Sequence, residues 1–310
     1  MTREASARTS GFARRVGRGV AALGAIGAAG FSWGVWEARW FEVRRVTVPV
    51  LPAGARPIRI LHVSDMHVIP RQRRKQDFVA RLAGLQPDLV INTGDNLGSA
   101  EGVEVALGAL DRLLDVPGVF VFGSNDYYGP RWKNPFSYFG STDGHEVDDR
   151  PELPWDKLRD TFVARGWHDL NHHKAVLDVA GMSIEFRGTD DAHLGRDDYL
   201  SVAGPVPSEV DLGIGVTHAP YARVVDSMID DGCALVFAGH THGGQVCVPG
   251  YGALVSNCDL PPGRAAGLSV HPGAGRRGYL HVSGGLGTSP LAPFRFACRP
   301  SATLVTLTTS

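Results

Sequence analysis

Five short apolar runs in this 310-residue chain each end on a residue able to bind a metal ion or turn the backbone, and that pattern constrains the fold more than any other feature. Ile60–Val63 runs into Asp65-Met-His67, Leu89–Ile91 into Gly94-Asp95, and Val119–Phe122 into Gly123-Ser-Asn-Asp126. Ile214–Val216 leads to Thr217-His-Ala219, and Leu235–Ala238 to Gly239-His-Thr-His-Gly-Gly-Gln245. Short runs rich in β-branched residues and bounded by Gly, Asp or Pro predict buried strands. Open α/β sheets bind ligands beyond the carboxyl ends of their strands, so these polar residues should converge on one sheet edge.

The residue types predict what binds there. Carboxylate, amide and imidazole suit Mn, Fe, Zn or Ni, whereas a structural thiolate site would need clustered cysteines that are absent. Taken singly, an Asp after a strand is a turn former or a helix cap, and His218 could be a satisfied core histidine. Together Asp65, His67, Asp95, Asn125, His218, His240 and His242 are enough for two divalent ions sharing a carboxylate. Two such ions about 3.5–4 Å apart would clamp the attacking and leaving oxygens at phosphorus and lower the pKa of a bridging water toward about 7. His240 and His242 would share a face on a strand, but on a turn they can diverge toward both ions, and Gly239, Gly243 and Gly244 permit that turn.

The order Asp-x-His, Gly-Asp, Gly-(Asn-containing turn), Thr-His, Gly-His-x-His resembles the calcineurin-like metallophosphoesterase superfamily from about Ile58 to Leu307. Phe122-Gly-Ser-Asn-Asp-Tyr-Tyr128 and Gly284-Gly-Leu-Gly-Thr-Ser-Pro290 are similar to its membrane-associated bacterial branch. The resemblance implies that Asp65, His67 and His242 hold one ion, that Asn125, His218 and His240 hold the other, and that Asp95 bridges them; Asp95, Asn125 and His218 are the residues expected to bear most on catalysis. The usual turn is Gly-Asn-His-Asp/Glu, and here it is Gly123-Ser-Asn-Asp126. In strict register Ser124 takes the ligand's place; a one-residue shift brings Asn125 to the metal, and an amide oxygen is the better ligand. Either way the histidine is missing, so leaving-group protonation must come from water, the metals or another residue.

The resemblance implies an α/β fold, a four-layer α-β-β-α sandwich of two facing mixed sheets, with an N-terminal membrane segment. The chain itself predicts strand, helix, strand, helix, strand over Arg59–Val63, Gln76–Leu85, Leu89–Asn92, Val103–Leu114 and Val119–Phe122. A loop over Tyr127–Arg150, a helix near Trp155–Arg165 and strands at Ala175–Val179 and Ser183–Arg187 follow. Ile214–Thr217, a helix near Ala222–Asp230, Leu235–Ala238, Tyr279–Ser283 and Ala302–Thr308 complete the second half. Hydrophobic residues at 43% and charged residues at 20% supply ample core, and Gly 39 with Pro 20 suits a site built on turns. Lys+Arg of 31 against Asp+Glu of 32 leaves a net charge of −1, which argues against nucleic acid as the main partner.

The expected organisation is a basic region 1–18, a transmembrane anchor or signal segment 19–36, a linker 37–56 and a metallophosphoesterase domain 57–310. Arg3, Arg8, Arg14, Arg15 and Arg18 precede eighteen uncharged residues, Gly19–Trp36, with Trp33, Trp36 and Trp40 placed for an interfacial belt. The positive flank predicts a cytoplasmic N-terminus, a single span of the cell membrane and an extracytoplasmic domain. Eighteen residues cover about 27 Å against a hydrocarbon core of roughly 30 Å, so the span is short. A cleaved signal with small residues Ala28 and Ala29, a poorly matching twin-arginine signal at Arg14-Arg15, and an ordinary helix are the alternatives. Cys233, Cys247, Cys258 and Cys298 have no metal spacing; outside the cytoplasm they would permit a disulfide, and Cys233 suits a buried apolar position.

Other polar residues carry weaker signals. Asp190-Asp191-Ala-His193 follows a strand and is a candidate pocket lining, and Tyr127 and Tyr128 are candidates for substrate contact or core packing. Arg71, Arg73, Arg74 and Lys75 suit a solvated helix start, or contact with lipid head groups or substrate phosphate. His145, His172 and His173 lie outside the motif order and are expected at the surface. Two functional readings follow. One is hydrolysis of a phosphodiester, pyrophosphate or phosphomonoester, on an envelope or lipid-linked compound; the other is a membrane-tethered metal-binding or scaffold protein with little turnover. Retention of the ligand set favours the enzyme, and the His-x-His-x-Asp-His run of metallo-β-lactamases is absent.

Overall fold

A computed structural model describes residues 2–130 and 150–309 of the chain. Its body is two six-stranded mixed sheets. The first contains β1 (Glu42–Leu51), β2 (Ile58–Val63), β3 (Leu89–Asn92), β4 (Gly118–Phe120), β5 (His168–Asp169) and β14 (Ser301–Thr309), in the order β1-β14-β2-β3-β4-β5. The second contains β6 (Lys174–Val179), β7 (Met182–Gly188), β8 (Leu212–Val216), β9 (Leu235–Ala238), β12 (Gly267–Pro272) and β13 (Arg277–Val282), in the order β12-β13-β9-β8-β7-β6. A two-residue pairing of β10 (Cys247–Val248) with β11 (Gly252–Ala253) stands apart.

The central strands are parallel, β2 to β3 to β4 in one sheet and β7 to β8 to β9 in the other. Strands β3, β8 and β9 are buried along their whole length, which is why they appear in the sequence as unbroken apolar runs rather than as alternation. Side chains from both sheets, among them Ile60, Ile91, Val121, Phe186, Ile214 and Phe237, form one core. Helices α2 (Arg73–Arg81), α3 (Gly102–Leu110) and α5 (Trp155–Ala164) share a second core with the first sheet through residues such as Val79, Leu110 and Phe162. A single turn, α4 (Ser124–Tyr127), follows β4. Helix α6 (Ala222–Asp230) shares a third core with the second sheet through Val224, Met228 and Ile229.

Besides the two-residue strands β5, β10 and β11, two longer strands escape the sequence pattern for one reason. The stretch 37–56, expected to be a linker, carries β1, paired in parallel with β14, and β12 was likewise unforeseen. Both are edge strands. At an edge the unpaired side needs no donor and faces water, so Pro49 and the exposed Arg44 and Arg45 are tolerated. Helix α3 stops at Leu110, short of the expected Leu114; the chain continues in turns that still bury Leu113 and Leu114.

Helix α1 runs from Thr2 to Glu37 and contains the whole uncharged stretch. Among the described residues, no helix is long and apolar enough to cross a membrane. Its last turns are fastened to the domain. Glu37, 4% exposed, accepts hydrogen bonds from the amides of Ala297 and Cys298 at 3.1 and 2.8 Å and from Trp33 Nε1 at 2.8 Å. Gly34 sits against the Phe294 ring, and its carbonyl accepts from Arg295 N. The four cysteines are free thiols, Cys233 buried as expected. His173 is exposed and His172 partly so; His145 lies outside the described residues, as does most of the Tyr127–Arg150 loop.

Candidate metal centre

The loops that follow β2, β3 and β4 of the first sheet and β8 and β9 of the second come together, so the site lies between two sheets and not on the edge of one. Asp65, His67, Asp95, His240 and His242 all have φ between 41° and 71°. Non-glycine residues seldom take this left-handed conformation, and it clusters where a site imposes its geometry on the backbone. Four side chains converge most tightly: one ligand atom from each of Asp65, His67, Asp95 and His242 lies within 4.8 Å of all the others. His67 Nε2 is 3.2 Å from His242 Nε2 and 3.4 Å from Asp95 Oδ2, and His242 Nε2 is 3.7 Å from Asp65 Oδ1. The same Asp95 carboxylate is reached by His218 Nε2 at 3.6 Å and accepts from the Asn125 backbone amide at 2.7 Å and Asn125 Nδ2 at 2.8 Å. Ser124 Oγ accepts from Asn125 Nδ2 at 3.2 Å. The His240 ring lies 5.3 Å from that of His218, with its Nε2 2.9 Å from the Asn257 carbonyl.

The hydrogen bonds around the imidazoles decide which nitrogens carry lone pairs. His218 Nδ1 donates to Thr93 O at 2.6 Å, and His242 Nδ1, 3.0 Å from Gly287 O and farther, at 3.3 Å, from Arg295 Nη2, donates to the nearer carbonyl. A carbonyl only accepts, so Nε2 of each neutral ring is left to bind. His218 Nε2 and His67 Nδ1 are buried with no hydrogen-bond partner. With His242 Nε2 unprotonated, His67 Nε2 must either donate to it or share a cation with it. Burial pushes Asp65 up to about 6, and burial with the Asp95 charge pushes Asp126 up to about 7, whereas Asp95, despite its burial, is held well below the usual carboxylate range by His218 and His67. Burial lowers His67 to about 4 and drives His240 and His242 well below the usual imidazole range. His218 is the exception, because the Asp95, Asp191 and Asp65 carboxylates outweigh its burial and raise it to about 9. Neutral imidazoles, crowded carboxylates and orphaned nitrogens fit divalent cations.

Other residues support the centre, and two of them, Asp126 and Arg295, were given no role from the sequence. Asp126 joins two ligand loops: Oδ2 accepts from Asp95 N at 2.7 Å and Gly123 N at 3.0 Å, and Oδ1 from Asn96 N at 2.8 Å. Only its place at the end of Gly123-Ser-Asn-Asp126 hinted at this. Arg295 is fully buried and donates to the carbonyls of Gly284, Gly287 and His242 at 2.7, 2.6 and 3.1 Å, tying the Gly284–Gly287 loop to the His242 loop. Lys75 is also buried, its ammonium 2.6 Å from Met66 O, so it supports the first ligand turn instead of facing lipid or substrate. Gly123 has to be glycine because an added Cβ would lie 2.4 Å from Asp95 Oδ1 and 2.5 Å from His218 Cε1.

The weaker candidates border this centre. The His193 ring lies 4.5 Å from that of His240, and its Nδ1 is 3.2 Å from the Tyr221 hydroxyl. Asp191 is buried with one oxygen unpartnered. Tyr127 is buried, donates to Asp190 at 2.8 Å and is covered by the Arg196 guanidinium at 4.0 Å, while Arg196 pairs with Asp190. Tyr127 is therefore held by packing and by Asp190.

The fold and the ligand loops define a class. The calcineurin-like phosphoesterase family model matches residues 58–244, more than half of the chain, and the chain belongs to that family. Membership implies hydrolysis of phosphate esters. The chain is 25% identical over 305 residues to the metallophosphoesterase YkuE of Bacillus subtilis, covering 93% of this chain and 94% of that one. It is 26% identical over 277 residues to the phosphodiesterase YaeI of Escherichia coli, covering 87% and 90%. Among solved structures, TT1561 of Thermus thermophilus aligns with a TM-score of 0.39 at 12% identity, over 74% of this chain and 91% of that one.

Proposed function

We propose that the chain is a two-metal phosphoester hydrolase that acts on a phosphodiester, with pyrophosphates and phosphomonoesters as the other substrate classes of the same site. The observation that carries this reading is the sharing of Asp95: one buried carboxylate meets His67 of one ligand loop and His218 and Asn125 of two others. Asp65, His67 and His242 would hold one ion, Asn125, His218 and His240 the other, and Asp95 would serve both. The diester preference is supported by the likeness to YaeI, and a lipid-linked or envelope compound by the uncharged N-terminal helix, which we infer holds the chain at the cell membrane with its domain outside the cytoplasm.

When bound, two divalent ions supply Lewis-acid polarisation of phosphoryl oxygens and a lowered pKa for water beside them. The protein supplies fixed geometry. Thr93 O and Gly287 O hold the rings of His218 and His242 in one tautomer, and Asp126 fixes the backbone of the Asp95 turn against that of Gly123. Burial keeps water out and strengthens each charge interaction in the centre. The test is to strip the purified protein with chelator, restore Mn, Fe, Zn or Ni singly, and assay aryl phosphate monoesters, diesters and pyrophosphates. Hydrolysis that appears only with restored metal, and fastest on a diester, is expected. Equal rates in stripped and restored protein would overturn the metal assignment, and activity confined to monoesters would overturn the diester preference.

A further inference from the structure

Where α1 ends, the surface changes character in order. The described part of α1 exposes Leu23, Ile26 and Phe31, each more than 60% accessible. Next comes an aromatic ladder: Trp33 packs on Trp36 with ring centroids 5.0 Å apart, and Trp36 on Trp40 at 4.6 Å, all three rings still more than 40% exposed. Beyond the ladder is a cavity of about 300 Å3 lined by Arg39, Trp40, Phe41, Arg74, Asp77, Phe78 and Arg81. Phe41 and Phe78 stack at 5.3 Å to form its apolar wall, and the Arg299 guanidinium covers the Trp40 ring at 4.0 Å.

The three lining arginines are exposed, and among the described residues their guanidiniums have no ion-pair partner; Asp77 is the single carboxylate in the lining. Guanidiniums of this kind are often paired on a protein surface, as Arg165 is with Asp111 and Asp115 and Arg223 is with Asp197. Three of them left unpaired around one concave, aromatic-walled site form a receptor for a phosphate group, the anion that planar donors match best.

We infer that the Arg39, Arg74 and Arg81 pocket binds the phosphate of an anionic lipid head group and so seats the domain on the bilayer surface. The sequence of surfaces supports a lipid source over free phosphate. Exposed apolar helix, tryptophan ladder and guanidinium pocket follow the order hydrocarbon, interface and head group, with tryptophan at the depth where membrane interfaces favour it. The inference rests on the membrane placement proposed above and is independent of the metal chemistry, since none of the lining residues belongs to the metal centre.

The test uses the full chain and sedimentation with vesicles of phosphatidylcholine alone or with phosphatidylglycerol added. A surface arginine is expected to contribute roughly fivefold to binding an anionic bilayer. The wild type should therefore prefer the mixed vesicles by at least about tenfold. Arg39→Gln/Arg74→Gln/Arg81→Gln should lose most of that preference while keeping its binding to neutral vesicles and its hydrolysis of a soluble aryl diester. Arg112→Gln/Arg276→Gln/Arg277→Gln, which removes the same charge from exposed positions elsewhere, should keep the preference. An undiminished preference in the first variant, or an equal loss in the second, would overturn the pocket. Competition by inorganic phosphate at constant ionic strength would assign the pocket to free phosphate and overturn the lipid source. Absence of binding to either vesicle would overturn the membrane placement together with the inference, and the diester assay would report on the metal centre regardless.

Discussion

At the residue scale Asp95 is the pivot, the carboxylate shared by His67, His218 and Asn125. Asp95→Asn keeps the shape and the hydrogen-bond capacity but removes the charge that two cations would share. Turnover should fall by more than the roughly 10–100-fold typical of residues behind a metal's ligands, with circular dichroism unchanged; wild-type turnover in metal-replete Asp95→Asn protein would contradict the shared role. The neighbouring turn poses a sharper choice. Asn125 contacts Asp95 through both its backbone amide and its side chain, whereas Ser124 Oγ only accepts from Asn125. Asn125→Ala should therefore lower metal content and activity together and Ser124→Ala should leave both nearly intact, as read by elemental analysis beside the diester assay. The reverse pattern would move the ligand to Ser124.

At the element scale the least expected contact is the clamp on α1. Glu37→Ala removes the acceptor for Ala297 N, Cys298 N and Trp33 Nε1 and leaves two backbone donors without a partner. The cost should be about 1–3 kcal/mol, seen as a lowered thermal midpoint, and an unchanged midpoint would mean that the helix end does not dock in this way. This clamp also shows where sequence reasoning ends. Strands β3, β8 and β9 are buried and parallel to their neighbours, so they form short apolar runs that announce them. Edge strand β1 carries Pro49 with Glu42, Arg44 and Arg45 and in isolation reads as linker, and edge strand β12 carries Gly267, Ser269 and Pro272 and gives no apolar run. The seven candidate ligands could be picked out because each lies in the turn after a buried strand. Asp126 and Arg295 could not be assigned their roles, because those roles consist of contacts with backbone 30 and 53 residues away, and no local pattern encodes them.

At the scale of the whole molecule the two sheets are joined at a buried histidine pair. His62 on β2 and His281 on β13 face each other, Nδ1 to Nδ1, at 2.9 Å. Burial drives His62 well below the usual range and lowers His281 to about 4. Their folded pKa values lie below the unfolded value of about 6.5, so this pair's contribution to stability is complete above about pH 6.5 and is lost as pH falls toward about 4. For His281 the loss is on the order of 3 kcal/mol. The decline in urea midpoint over that window should be shallower in His281→Gln than in the wild type, and parallel declines would contradict the assignment.

The claim on which the rest depends is that this site between the sheets holds two ions and hydrolyses phosphate esters only when both are present. A stoichiometric titration of metal into the stripped protein, with hydrolysis of an aryl phosphodiester followed at each addition, addresses it directly. Turnover is expected to stay low until the first site is filled, to rise with the second equivalent and to level off at two ions per chain. Full turnover at one equivalent, or turnover indifferent to metal, would contradict it.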